Sequence, residues 1–109
     1  MNNEFLKLAE IDEANRLKSS GNLFHVLFKR NDFSMELFVP RGKDTQSPHA
    51  QDEIYVISSG LSKFQRGEEI VSVRAGDALF VPAGVEHRFL EFSEDFRTWV
   101  IFFGPEIER

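Results

Sequence analysis

Two short stretches of the 109-residue chain concentrate side chains able to do chemistry. The first is Ser47-Pro48-His49-Ala50-Gln51-Asp52-Glu53. The second runs Gly76-Asp77-Ala78-Leu79-Phe80-Val81-Pro82-Ala83-Gly84-Val85-Glu86-His87. Residues two apart in an extended strand point to one face, so His49, Gln51, Glu53 and Tyr55 line up together if no bulge intervenes. That sets an imidazole beside a carboxylate. His87 follows a Pro-x-Gly turn and opens a strand of its own. If that strand neighbours the first, two imidazoles and one carboxylate converge. Such a facial set leaves coordination positions open and suits Fe(II), and less selectively Mn(II), Ni(II), Cu(II) or Zn(II). Glu86 points the opposite way from His87 and is not counted as a ligand. His25 stands in no such pattern and reads as an ordinary strand histidine.

The rest of the composition narrows the chemistry. With no cysteine there is no thiolate zinc site, iron–sulfur cluster, disulfide scaffold or cysteine nucleophile. Any metal is held by nitrogen and oxygen, and His25, His49 and His87 are the whole imidazole supply. The net charge is −5 and the longest purely basic run is Lys29-Arg30, so nucleic acid is not an expected partner. The longest apolar run, residues 99–103, is far short of the ~20 residues that span a bilayer, so no membrane is expected either. The opening Met1-Asn2-Asn3-Glu4 has no basic region leading into an apolar stretch. No secretory leader is expected, and the chain reads as soluble and cytoplasmic.

The elements that must position these side chains are mostly strands. Residues 5–8 suggest a short strand. Asp12 suits an N-cap for a helix over residues 13–20, ended by Gly21. Strands are then expected over residues 23–29, 33–39, 53–58, 61–65, 70–74, 78–81, 87–92 and 97–103, separated by turns such as Arg30-Asn31-Asp32 and Arg66-Gly67-Glu68-Glu69. Turns at this spacing with one marginal helix imply an all-β sandwich or barrel, in one domain spanning residues 1–109. The twelve phenylalanines mostly fill the interior, and a subset could line an apolar ligand pocket. Ile54 and Val56, like Trp99, Ile101 and Phe103, make strands that are apolar on both faces. A second subunit is the simplest cover for the outer face, so a homodimer is expected.

These residues resemble the cupin superfamily, small jelly-roll β-barrels with two signature motifs. Its first motif runs glycine, His-x-His, three or four residues, glutamate, six residues, glycine. Here three residues separate His49 from Glu53, and six separate Glu53 from Gly60. The second motif runs glycine, five residues, Pro-x-Gly, two residues, histidine, which Gly76, Pro82, Gly84 and His87 match in spacing. Ser47 stands where the first histidine of His-x-His belongs, Gly42 falls one residue off the usual spacing, and Glu91 takes the place of a frequent asparagine.

The resemblance implies a cupin-type jelly-roll β-barrel with a short N-terminal helix. It also implies a divalent transition metal held by His49, Glu53 and His87, and a small organic molecule in the barrel mouth. Gln51, an oxygen ligand or a pocket-lining amide, and Tyr55, a substrate contact or a core aromatic, are the candidate pocket residues; water could equally take the place left by Ser47. Family analogy offers dioxygenase, isomerase or decarboxylase chemistry. The alternative is a non-catalytic small-molecule binding or sensing cupin, with or without metal, towards which the serine at position 47 points.

Overall fold

The computed structural model describes residues 4–107. Met1-Asn2-Asn3, read above for a leader, lie outside the described residues. The elements in chain order are α1 (Glu10–Ser20), β1 (Phe24–Arg30), β2 (Phe33–Phe38), β3 (Asp52–Ser59), β4 (Leu61–Arg66), β5 (Glu69–Arg74), β6 (Ala78–Val81), β7 (His87–Leu90) and β8 (Arg97–Phe103). The strands form two antiparallel sheets, one ordered β1-β2-β8-β3-β6 and the other β5-β4-β7. Tyr55, Ile57 and Val100 of the larger sheet and Phe64, Val73 and Phe89 of the smaller belong to one buried core. The expected jelly-roll architecture is therefore present as two facing sheets. Among the described residues, the barrel is not closed by hydrogen bonds between β5 and β6.

Register decides which side chains face the core. Glu36 lies opposite Val100, and Val100 opposite Tyr55, so these three share the inner face. Ser34, Phe102 and Glu53 form the next inward row. The intervening rows face outward: Leu37, Trp99 and Val56 in one, Met35, Ile101 and Ile54 in the other. Helix α1 lies against β2, and both Leu17 and the outward Leu37 are buried. The helix thus covers one part of the outer face, while Trp99, Ile101, Ile54 and Val56 remain only half-buried.

Three local expectations are corrected. The helix begins at Glu10 after an extended Ala9 that makes no side-chain cap, so Asp12 is a first-turn residue and not the cap. Glu10, Asp12 and Glu13 sit together in that turn, where carboxylates interact favourably with the helix dipole. Residues 5–8 form no strand; Phe5 packs edge-on against Phe28 with ring centroids 5.1 Å apart. Strand β7 stops at Leu90 and not at residue 92, because Glu91 adopts a left-handed φ of 52° that takes the chain out of the ladder.

Candidate metal centre

Glu53 and His87 meet across the core and not along one sheet. β3 pairs with β6 and β8, whereas β7 pairs with β4 in the opposite sheet. The two strands are therefore not neighbours, and the side chains converge from opposite sheets instead. An inward residue on one sheet meets an inward residue on the other across an interior about 10 Å thick. The His49–Tyr55 alignment is also modified. β3 begins only at Asp52, so His49 reaches Glu53 from the preceding loop.

That loop is fixed by the second motif. The Gly84 N–H donates to the His49 carbonyl at 2.8 Å, and the Ala83 N–H donates to Asp52 Oδ1 at 2.9 Å. The Pro82-Ala83-Gly84 turn thus holds one ligand-bearing loop while it launches the strand that carries His87. Gly84 has a φ of 80°, the left-handed region that glycine adopts without steric cost. Gly60, at the end of the first motif, has a φ of 84°, and a Cβ there would lie 2.7 Å from the Phe96 Cα. Only glycine fits that close approach.

His49, Glu53 and His87 form a group of nitrogen and oxygen donors that lie within 4.8 Å of one another. Glu53 Oε1 accepts from or faces His49 Nδ1 at 3.0 Å and lies 2.8 Å from His87 Nε2. Glu53 Oε2 is buried with no hydrogen-bond partner among the described residues, and His87 Nε2 is buried with only Glu53 Oε1 beside it. Burying polar atoms unpaired is costly, and native structures rarely tolerate it without a reason. His87 Nδ1 lies 2.9 Å from the Val85 carbonyl, which fixes the proton there in the neutral ring and leaves the lone pair on Nε2. Donors that each sit about 2.1 Å from one ion at right angles are about 3 Å apart, which the approaches of Glu53 Oε1 to His49 Nδ1 and His87 Nε2 match, and the whole set lies within 4.8 Å. The residues fit a divalent transition ion.

The electrostatics agree. Burial alone would raise the Glu53 carboxyl, but hydrogen bonding and charge from His49 and His87 outweigh it and hold the pKa below the ordinary value. Burial alone would lower His87, but Glu53 outweighs it and the pKa is raised. The carboxylate therefore stays charged and attracts a cation, a proton or a metal, to the His87 nitrogen. Burial pushes the Tyr55 phenol well above its usual value, so it acts as a neutral donor.

A cavity of about 510 Å³ opens beside this group, within the range of small-molecule sites. Of the three donor residues His49 lines it, its ring set edge-on against Phe102 with centroids 4.9 Å apart. Gln51 and Tyr55 line the cavity too. Gln51 Nε2 donates to the carbonyls of Asp32 and Gly104, which ties its side chain to the β1–β2 turn and the chain beyond β8. Ser47 is exposed in its loop. Glu86 is exposed as well, and the half-buried His25 lies on the outward row beside Leu37.

Three lining residues were not anticipated. Tyr55 donates its hydroxyl proton to Gln46 Oε1 at 3.2 Å, Gln46 Nε2 donates to Asp44 Oδ2 at 2.8 Å, and Asp44 Oδ2 also accepts the Phe89 N–H at 2.8 Å. This chain pins the β2–β3 loop over the cavity. The third is Glu36, on the inner face of β2, whose pKa is raised chiefly by burial, against the attraction of His49. Its place was legible in the alternation Ser34, Glu36, Phe38, which puts a carboxylate on the face that carries a core aromatic. The identities of Asp44 and Gln46 gave no comparable sign, because a polar loop does not show which of its side chains turns inward.

Two facing antiparallel sheets with buried Glu53 and His87 and half-buried His49 between them define a β-sandwich with a candidate metal centre. The cupin domain family model matches residues 34–102, and the chain belongs to that family. An uncharacterized protein of Streptomyces coelicolor is 41% identical over 96 residues, which cover 86% of this chain and 90% of that protein. Among solved structures, a conserved protein of unknown function from Streptococcus pyogenes superposes with a TM-score of 0.69 at 23% identity, covering 98% of this chain and 96% of the other. A cupin-2 domain containing protein from Shewanella frigidimarina gives 0.63 at 22% identity, covering 85% and 97%. A DMSP lyase from Ruegeria pomeroyi gives 0.65 at 23% identity, covering 74% of this chain and 46% of that one. At these identities the structural likeness is one of fold.

Proposed function

We propose that residues 1–109 act as one metal-dependent cupin domain that binds a small organic molecule in the cavity between its sheets. His49, Glu53 and His87 hold a divalent transition ion, one of Fe, Mn, Ni, Cu or Zn. The observation that carries this reading is the convergence of the His49, Glu53 and His87 donor atoms within 4.8 Å of one another, with Glu53 Oε2 buried and unpartnered among the described residues. When bound, the ion supplies Lewis-acid polarisation and open coordination positions. The chain supplies the rest. Val85 fixes the His87 tautomer, the Pro82–Gly84 turn fixes His49, and Tyr55 and Gln51 line the cavity with polar groups beside apolar residues such as Phe38, Val100 and Phe102. Catalysis in this site falls in the dioxygenase, isomerase or decarboxylase class.

Elemental analysis of untagged protein purified without chelator tests the reading. Near-stoichiometric metal that is lost in His87→Ala is the expected result. No metal after reconstitution with Fe(II), Mn(II), Ni(II) and Zn(II) overturns it. A non-catalytic binding or sensing role is the second reading, favoured by the exposed Ser47 where the family motif has a histidine. Oxygen uptake and product analysis with small aromatic and thiol compounds separate the two.

The half-buried outer row of Ile54, Val56, Trp99 and Ile101, with Phe80 45% exposed beside it, is the face we assign to a homodimer. Helix α1 covers the Leu37 end of that face, and a second copy would cover the remainder. Sedimentation equilibrium showing a dimer that Trp99→Lys dissociates supports this assignment, and a monomeric wild type refutes it.

A further inference from the structure

We propose that Glu36 is a recognition residue for a protonated amine, and hence that the cavity takes an amine-bearing small molecule whose other end reaches the His49/Glu53/His87 group. This inference rests on the cavity being a ligand site, as proposed above, but not on the metal. Glu53 is engaged by two imidazoles. Asp44 is engaged by the Gln46 backbone N–H, the Gln46 amide and the Phe89 N–H. Glu36 is half-buried on the same inward face and lines the cavity, and its side chain makes no hydrogen bond or ion pair among the described residues.

A carboxyl group placed on a core-facing row loses hydration, and the fold provides no donor in return. Such a residue costs stability wherever it serves no ligand. Of the lining groups that can carry positive charge, Lys43 lies exposed in the β2–β3 loop and His49 is paired with Glu53; neither makes an ion pair with Glu36, so a cation in direct contact with Glu36 would have to arrive with the ligand. Glu36 sits two strands across and two residues along from Glu53, about 12 Å between Cα atoms by sheet geometry. Both side chains point inward, so a short molecule can bridge the gap between them. An ammonium group facing a partly desolvated carboxylate makes a charge-assisted hydrogen bond, the stronger class of such contacts.

The test is calorimetric titration of Zn(II)-loaded protein with straight-chain ω-amino acids of two to six carbons, each beside the same acid without its amine. A parallel arm titrates metal-free protein with n-alkylamines. At least one amino acid should bind about tenfold or more tightly than its parent acid. Glu36→Gln, which keeps shape and removes charge, should abolish that preference without lowering the zinc content. If no amino acid is distinguished from its parent acid and no alkylamine binds the metal-free wild type, the proposal fails, whatever the variant does. It also fails if Glu36→Gln retains the preference. Alkylamine binding to metal-free wild type that Glu36→Gln removes supports it even where the zinc arm shows no metal, so loss of the metal reading and loss of this one are told apart.

Discussion

If His49, Glu53 and His87 are kept for binding and not for folding, removing one of them should damage the protein more than removing all three. His87→Leu, studied with chelator at pH 7, leaves Glu53 as a buried charge with one remaining partner. The side chains of His87 and Glu53 are 0% and 1% exposed, so solvent screens neither and no discount applies. Breaking a buried pair from one side costs about 3–5 kcal/mol. With a urea dependence of about 1.5 kcal/mol per molar for a domain of this size, the unfolding midpoint falls by about 2–3 M. The triple variant His49→Leu/Glu53→Leu/His87→Leu replaces the whole group by side chains of similar bulk. It lies against Tyr55, Phe64 and Phe102, whose rings already touch the two histidines. Replacement of a complete buried ion group by apolar residues is often neutral, or stabilising by about 1–4 kcal/mol. The triple variant should therefore match or exceed the metal-free wild type. Equilibrium urea unfolding followed by Trp99 fluorescence measures both. A His87→Leu variant within about 1 kcal/mol of wild type would show that the pair is not energetically coupled. A triple variant as unstable as the single one would show that the group is structural, and would remove the reason for calling it a binding site.

Two further outcomes follow from the same contacts. In metal-free protein the raised His87 pKa contributes stability that is fully present below its unfolded value of 6.5 and is lost as pH rises through the folded value. The lowered Glu53 pKa contributes stability present above 4.5 and lost as pH falls through its folded value. The contribution of the pair should peak between those two values, and thermal melts across pH check it; a contribution still rising above pH 8 contradicts the assignment. Asp44→Ala removes the acceptor of the buried Phe89 N–H and should cost about 1–3 kcal/mol, a fall in melting temperature of about 4–8 °C for each kcal/mol. Asp44→Asn, which retains an acceptor, should cost less.

Much of the site was readable from spacing because strand geometry has period two. Glu53 and Tyr55 share a face, as alternation requires, and both are buried. Eight strands appear within two residues of the expected limits at nearly every end, since Gly, Asn and Asp mark the turns between them. The strand partners were not readable. Alternation states which face a side chain is on and says nothing about which strand lies beside it, so it leaves the partner of the His87 strand open; that strand pairs with β4, and His87 faces β3 from the opposite sheet. The helix start was misplaced for a related reason. Asp12 has the composition of a cap, but the backbone of Ala9 accepts the first turn's N–H groups, and no side chain is needed there.

The geometry also gives a physical reason for the distance between the two motifs. A ligand set alone would require only that Glu53 and His87 face each other. The structure asks more of the intervening residues. β4 and β5 form a hairpin, and β4 carries the chain into the opposite sheet; β6 returns it to pair with β3. The Pro82–Gly84 turn then donates two backbone N–H groups to the His49 carbonyl and the Asp52 carboxylate. Those bonds close the loop between the motifs, and they form only if β6 ends level with the start of β3. Glu53 lies opposite Val81, one residue before Pro82, which is that condition met. Insertion of a residue between Val81 and Pro82 would shift the turn past its acceptors and move His49 and His87 together out of reach of Glu53. The motif spacing is thus a constraint on strand register first, and the meeting of His49, Glu53 and His87 is a consequence of it.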